Sequence, residues 1–513
     1  MNIPSLHRWA ALLLTGCLLM LHTACEENFD EANENPNEPV NSEPEFLLRG
    51  IIRKTSDAMV LESFLTGNIV AQTASKTLRV ETEVYDWGKK GGFPDTWFPL
   101  YDAANDARNM RLSAQEEDET ANEAVALIME AYIFSVLTDA YGDIPYGEAL
   151  AGDEENYFPS YTPQEDIYLA DAQGTPTSDG LLAKLKRANE LLAQTSGASV
   201  DGDILFGGAP MMWRKFANSL RLRLLLHIAE VYPEAPQQMA QIINDPNQFP
   251  VFASSSENAA LDYLGSVPNI YPLRPPYKLG DFEAVVISQN LDTALKNRQD
   301  PRLTAYARPV AGTANDTVAD RYAGRPNGFL PDNAPGGEAS LLGYRYRNEE
   351  GEGSPAGRAQ GIFMSHAELE FIKAEAAHRG FINGNPEDFY NAGIRSSMAY
   401  YNVDFTDTVV TRTINDIDAY LNQPQVDLSN VSGNERLNRI IGQKWIALWF
   451  HGLEPWFDQR RTGYPNVVVQ PNRDYITNEP PKRFPYPGQE QSLNGGNYPA
   501  NGSDFQASIW QLP

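Results

Sequence analysis

Between Thr120 and Gly142 the chain reads Ala124, Val125, Leu127, Ile128, Ala131, Tyr132, Phe134, Val136 and Leu137 with almost no polar face. A helix that is apolar nearly all round has no side to offer to water, so the rest of the fold must be built around it. Thr120 and Glu123 fit a capping box at its start, and Gly142 stops it. The same punctuation recurs twice. Ser365 and Glu368 open a helix that closes on His378, Arg379 and Gly380, and Ser432 and Glu435 open one that ends near His451 and Gly452. In the latter, Leu437, Ile440, Ile441, Trp445, Leu448 and Trp449 repeat at helical spacing and form one apolar stripe. Further helices are predicted near 44–73, 95–112, 178–194, 210–231, 281–297 and 386–402. Long Pro/Gly/Tyr-rich connections separate them at 79–94, 150–176, 253–280, 308–360 and 464–513. Loops of that length in a compact domain usually carry function. Few period-2 segments occur, so the expectation is a mainly α scaffold with elaborate loops.

The N-terminus has the order of a secretory signal. Arg8 precedes an apolar run from Trp9 to Leu21, small residues Thr23 and Ala24 follow, and acids begin directly after Cys25. The run is shorter than the ~20 residues needed to span a bilayer. A cysteine at the cut site matches the lipobox of bacterial lipoproteins. Cys17 is the alternative, with the better local letters Leu14-Thr15-Gly16. Cleavage there would leave Leu18-Leu19-Met20-Leu21 beyond the anchor, which favours Cys25. The reading is a signal peptide over 1–24, an acidic tether over 25–43 starting at lipidated Cys25, and a single domain over 44–513. Both cysteines fall within the first 25 residues, so the remaining body has no disulfide, thiol nucleophile or zinc–cysteine site. A net charge of −28 argues against nucleic acid, whose phosphates require a basic face.

Catalytic signatures are sparse. Phosphate-binding, nucleophile-elbow, zincin and dinucleotide motifs are missing. Glu375-Ala-Ala-His378 has the spacing of carboxylate-bridged di-iron bundles, but no second such motif accompanies it, and a surface pair at the helix end is expected. Glu368 is read as a capping partner. Arg460 and Arg461, near Glu454 and Asp458, are read as an Arg–carboxylate network locking the last helix. No metal, cofactor or catalytic residue is assigned.

Several segments carry a family resemblance. They are Asn33 to Asn37 (NENPN), Trp97 to Tyr101 (WFPLY), Leu137 to Ala149 (LTDAYGDIPYGEA), Trp213 to Arg223 (WRKFANSLRLR), Met364 to Gly380, Glu435 to Pro465 and Arg483 to Glu490 (RFPYPGQE). Spread over nearly the whole chain, they resemble the SusD/RagB family of nutrient-binding outer-membrane lipoproteins, in its SusD-like branch. The resemblance implies a tetratricopeptide-like scaffold of about four helix pairs, with loop-rich insertions notably at 253–280 and 308–360. It also implies a β-barrel partner, a SusC-like TonB-dependent transporter, which such a protein covers as a lid, and a position on the outer membrane facing outward. The shared motifs are apolar and helix-capping in character and read as scaffold. No binding residue is carried over by them.

Ligand contacts are therefore sought among loop aromatics, since sugar rings and peptides both bind aromatic-lined grooves. The candidates are Trp87 and Tyr85; Tyr263, Tyr271 and Tyr277; and Tyr322, Tyr344 and Tyr346, with Arg274 and Arg345 as polar partners. Trp87 leads, because the flanking Gly88-Lys89-Lys90-Gly91-Gly92 looks too polar and flexible to bury it. The leading reading is a non-enzymatic surface lipoprotein that captures an oligosaccharide or peptide. A lipid-anchored glycosidase, and a lid with little ligand affinity of its own, stand as rivals.

Overall fold

The computed structural model describes residues 43–90, 93–150, 156–170, 180–195, 199–264, 267–274, 282–310, 321–335, 337–347, 359–403, 405, 414–466, 473–477 and 479–512. Cys17, Cys25 and the tether up to 42 lie outside them. Pro44–Pro513 forms one compact unit.

The long helices are α1 (Pro44–Glu62), α2 (Pro94–Glu116), α3 (Thr120–Tyr141), α4 (Leu181–Leu192), α5 (Pro210–His227), α6 (Ala235–Asn244), α7 (Gln289–Asn297), α8 (His366–His378), α9 (Pro386–Tyr400), α10 (Gly433–Ala447) and α11 (Glu454–Thr462). Helix α1 continues through a π-helical turn, Ser63–Gly67, to Val70. Helix α3 is buried at every position from Ala124 to Tyr141, as its all-round apolar character requires. It packs against α2 on one side and α4 on the other, and α1/α2, α5/α6 and α8/α9 also pack as neighbours.

The helix expected from 281 starts later. A 3₁₀ turn at Phe282–Ala284 leads into strand Val285–Ile287, whose β-branched side chains favour a pleated surface. Helix α6 and the short helix Gln164–Leu169 were not expected from sequence. Among the described residues, strands make only three two-stranded antiparallel sheets. These are β1 (Ala74–Lys76) with β5 (Val285–Ile287), β2 (Ile144–Pro145) with β3 (Tyr161–Thr162), and β4 (Ala259–Asp262) with β6 (Gln360–Met364).

Of the three capping boxes, only one forms, and only by half. Ser365 accepts the Glu368 amide, but the Glu368 carboxylate does not reach back. It is wholly buried and pairs with both Nε (2.6 Å) and Nη2 (2.7 Å) of Arg223 on α5. Glu119, not Thr120, occupies the N-cap of α3, without a side-chain capping bond, and Glu123 accepts from Gln115 and Arg187 instead. Ser432 sits at the N-cap of α10 without a side-chain hydrogen bond, and Glu435 pairs with Arg439.

Glu375 is likewise not a surface residue. It is fully buried and gripped by Nη1 (2.6 Å) and Nη2 (2.7 Å) of Arg461 on α11. Arg461 also reaches Asp458 at 2.8 Å, and Lys444 on α10 meets the other Asp458 oxygen at 2.6 Å. The expected Arg–carboxylate network is thus present, though Arg460 takes no carboxylate. It donates to the carbonyls of Lys482 and Asp139 and lies over Trp456. Glu454 faces Arg223 and His227, each at 3.4 Å. His227 on α5 also meets Asp139 on α3 at 2.8 Å. Nearer the other end of α3, Glu130 is clamped between Arg111 of α2 (2.7 Å) and Lys184 of α4 (2.6 Å).

Burial opposes a charged His227, but its hydrogen bond to Asp139 and the nearby Glu454 carboxylate outweigh that and raise its pKa to about 9. A raised histidine contributes stability that is complete below its unfolded value near 6.5 and lost as pH climbs through 9. Unfolding free energy should therefore fall by up to ~3 kcal/mol between about pH 6.5 and 9. Denaturant titrations across that window should show a flatter dependence in His227→Gln, and equal slopes in the two proteins would contradict the assignment.

Candidate ligand-binding site

One cleft lies where short extended segments meet outside the helices. Strand β1 pairs with β5 and is followed by Thr77, whose amide and hydroxyl both donate to Ala284 O. Beyond β5, Arg325 N donates to Ile287 O, and Gln289 N to Arg325 O. Val286 bridges to Leu341, Ala307 bridges to Leu342, and Arg308 N donates to Leu341 O. Gly324 must be glycine in this ladder, since a Cβ there would fall 2.2 Å from Ser288 O. The result is a cleft of about 830 Å³, within the range of small-molecule sites.

Its lining mixes apolar and charged groups. Tyr344, 43% exposed, supplies an aromatic surface, with the Arg308 guanidinium 5.5 Å from its ring centroid. Arg308 Nε is anchored on Leu342 O at 2.9 Å. Arg325 also lines the cleft. Its Nε donates to Lys76 O at 3.1 Å, while Nη2 is buried without a hydrogen-bond partner among the described residues. Glu283 and Glu338 are exposed acids at the margin. Beneath the wall, buried Glu83 accepts from Ser75 Oγ (3.0 Å), Lys76 N (2.5 Å) and Gly328 N (2.9 Å). Burial pushes its pKa up to about 7 against those hydrogen bonds and the field of Arg325. Glu83 thereby ties the segment before Trp87 to β1 and to the loop after Arg325.

Of the residues singled out from sequence, the cleft includes Tyr344. Trp87 requires a correction. Its ring is 0% exposed, Nε1 donates to Thr82 O at 3.1 Å, and Phe93, Trp456, Phe484 and Phe505 surround it with centroids 4.8, 6.0, 5.5 and 5.6 Å away. No ring face is left for a ligand. Tyr85 is buried and stacks on Tyr475. Tyr263 is buried with its hydroxyl between Ser56 and Asp57, and Tyr271 packs edge-on against it. Tyr322 is buried, and its carbonyl accepts from Lys296. Tyr346 stacks on Phe450 at 4.2 Å. Arg274 is buried, and Arg345 is buried over the rings of Tyr400 and Tyr401. Tyr277 lies outside the described residues.

Arg308 and Arg325 had no signal in the sequence, where an arginine lining a cleft looks the same as Arg274 and Arg345, which are buried. Sequence reasoning also missed Tyr157 and Phe158, which are 67% and 66% exposed. Their backbone is pinned: Asn497 Nδ2 donates to Phe158 O and Asn494 Nδ2 to Pro159 O, each at 2.8 Å.

The cleft is thus an open, mixed-polarity surface on a mainly helical scaffold, and no group of metal-ligating side chains occurs among the described residues. The chain belongs to the SusD-like family: the family model described as "Starch-binding associating with outer membrane" matches residues 36–487. Among solved structures, a SusD homolog from Bacteroides fragilis is 26% identical, with a TM-score of 0.74 over 92% of this chain and 100% of that one. A chitin-binding protein is also 26% identical, with a TM-score of 0.73 over 92% of this chain and 100% of its own. A chitin-binding SusD homolog from Flavobacterium johnsoniae, 21% identical, shares the fold with a TM-score of 0.69 over 91% and 98%. A comparison against curated proteins gives no match.

Because Trp87 fills the aromatic core, Trp87→Ala should destabilise by ~3–5 kcal/mol. The check is a denaturant titration, and a stability within ~0.5 kcal/mol of the parent would return Trp87 to the surface.

Proposed function

We propose that this protein is a lipid-anchored, outward-facing receptor that binds an oligosaccharide in the cleft beside Tyr344 and hands it to a SusC-like TonB-dependent transporter. The observation that carries the reading is the cleft itself: an exposed tyrosine beside two arginines on a frame of short, hydrogen-bonded segments. A sugar presents both an apolar ring face and hydroxyls, which suits a ring and fixed polar groups together. The family's description and the chitin-binding relatives support a glycan over a peptide. Peptide capture remains the alternative ligand class, and a glycan and peptide screen with purified protein separates the two. Binding is proposed to occur without turnover, so bound oligosaccharide should be recovered intact.

Tyr344→Ala should weaken glycan binding by ~2 kcal/mol, roughly thirtyfold, while leaving the melting temperature nearly unchanged. Equal affinity in parent and variant would remove Tyr344 from the site. The anchor is assigned to Cys25, with Cys17 as the alternative. Stable attachment needs more than one acyl chain, as a bacterial lipoprotein carries. Cys25→Ala should move the protein out of the membrane fraction, and retention of that variant with release of Cys17→Ala would reassign the anchor.

A further inference from the structure

A second, smaller cleft of about 350 Å³ opens on α10, between the end of α7, the turn at Pro424–Gln425 and Pro465. None of its lining residues belongs to the cleft beside Tyr344. Its floor is Gly442, in the middle of α10. Glycine is a poor choice inside a helix, and it is usually kept there because something presses on the backbone. Among the described residues nothing does so here: a Cβ built on Gly442 meets no atom within 4 Å. The open space above this glycine is bounded by Trp445 one turn on, and by Asn438 one turn back.

The polar groups around that space are under-used. Arg298 donates through Nη1 to Ala294 O at 2.9 Å, its Nε is buried without a hydrogen-bond partner, and no carboxylate pairs with it among the described residues. The nearby Arg439 is already occupied by Glu435 and by the carbonyls of Pro424 and Asp427. Asn438 and Gln425 make no side-chain hydrogen bond among the described residues. The cleft also holds Glu435, which is neutralised by its hydrogen bond from Arg439, so one guanidinium without a carboxylate partner among the described residues and two amides are left to meet a small, oxygen-rich anion. Arginine recognises carboxylate through a planar fork, and amides serve hydroxyls as donor and acceptor at once. The volume lies at the lower end for small-molecule sites and admits one ring rather than a chain.

We propose that this cleft is a second binding site for a single carboxylate-bearing sugar ring, a hexuronate, seated on Gly442 with its carboxylate toward Arg298. The site is independent of the cleft beside Tyr344.

The test is calorimetric titration of the full protein with sodium glucuronate and, separately, with glucose. The parent should bind glucuronate saturably in the millimolar range or tighter, and glucose at least tenfold more weakly. Gly442→Leu fills the open space with a good helix former, so it should keep the fold and abolish glucuronate binding. Arg298→Gln and Asn438→Ala should each weaken it severalfold, which keeps the proposal testable should the leucine variant misfold. Tyr344→Ala should bind glucuronate as the parent does. Failure of the parent to bind glucuronate, undiminished binding by folded Gly442→Leu or by Arg298→Gln, or loss of binding in Tyr344→Ala would overturn the proposal. That last outcome would move the glucuronate site to the other cleft and leave the receptor reading standing.

Discussion

Glu375 and Asp458 are carboxylates with almost no contact with solvent, and each is held there by a cation from another helix, Arg461 of α11 for Glu375 and Lys444 of α10 for Asp458. Their network runs on toward Glu454, which faces Arg223 and His227, and from those to Glu368 and Asp139. Five helices, α3, α5, α8, α10 and α11, therefore meet through charge rather than through apolar contact alone. A buried ion pair adds little net stability compared with a well-packed apolar pair, yet removing one partner is costly, ~3–5 kcal/mol. A helix that slipped by one turn would leave several such groups unpaired at once. The network thus selects one arrangement of the bundle, and the apolar core fills it.

The loops inherit their order from that frame. Phe484, in the C-terminal segment, stacks on Phe93 at 3.8 Å and on Trp456 at 4.9 Å, which closes the aromatic core around Trp87. Arg460 on α11 holds the carbonyl of Lys482 two residues before it. On the other side, β1 leaves the end of the extended α1 and pairs with β5, which enters α7. Glu83, Asn327 and Arg325 tie that pairing to the neighbouring loop, since Asn327 Nδ2 donates to Ala74 O at 2.7 Å. The cleft beside Tyr344 is built from backbone ladders fastened to a rigid bundle, which suits a site that must be ready before its ligand arrives.

What sequence made legible was what depends on near neighbours. The burial of α3 followed from its own letters, and most of the long helices, though not α6, fell close to where periodicity and glycine stops placed them. What it hid depends on partners far along the chain. Glu368 looked like a capping residue three positions after Ser365, but its partner Arg223 is 145 residues away. Trp87 looked exposed beside its glycines, whereas the rings that bury it come from Trp456, Phe484 and Phe505. Most of the loop tyrosines went the same way, because a long loop in a large domain can bury its aromatics against the bundle as readily as display them. Tyr344 escaped that fate, and the arginines beside it gave no signal in the sequence.

The central claim is that ligand binds the cleft framed by β5, the segment from Tyr322 to Pro326 and Tyr344, while the buried bundle stays as it is. Hydrogen–deuterium exchange of the purified protein, with and without the oligosaccharide returned by the glycan screen, tests it most directly. Slowed exchange confined to the backbone between about 321 and 344, together with 308–310, is the result this account predicts. Protection centred instead on Tyr157 and Phe158, with the 321–344 backbone unchanged, would contradict it.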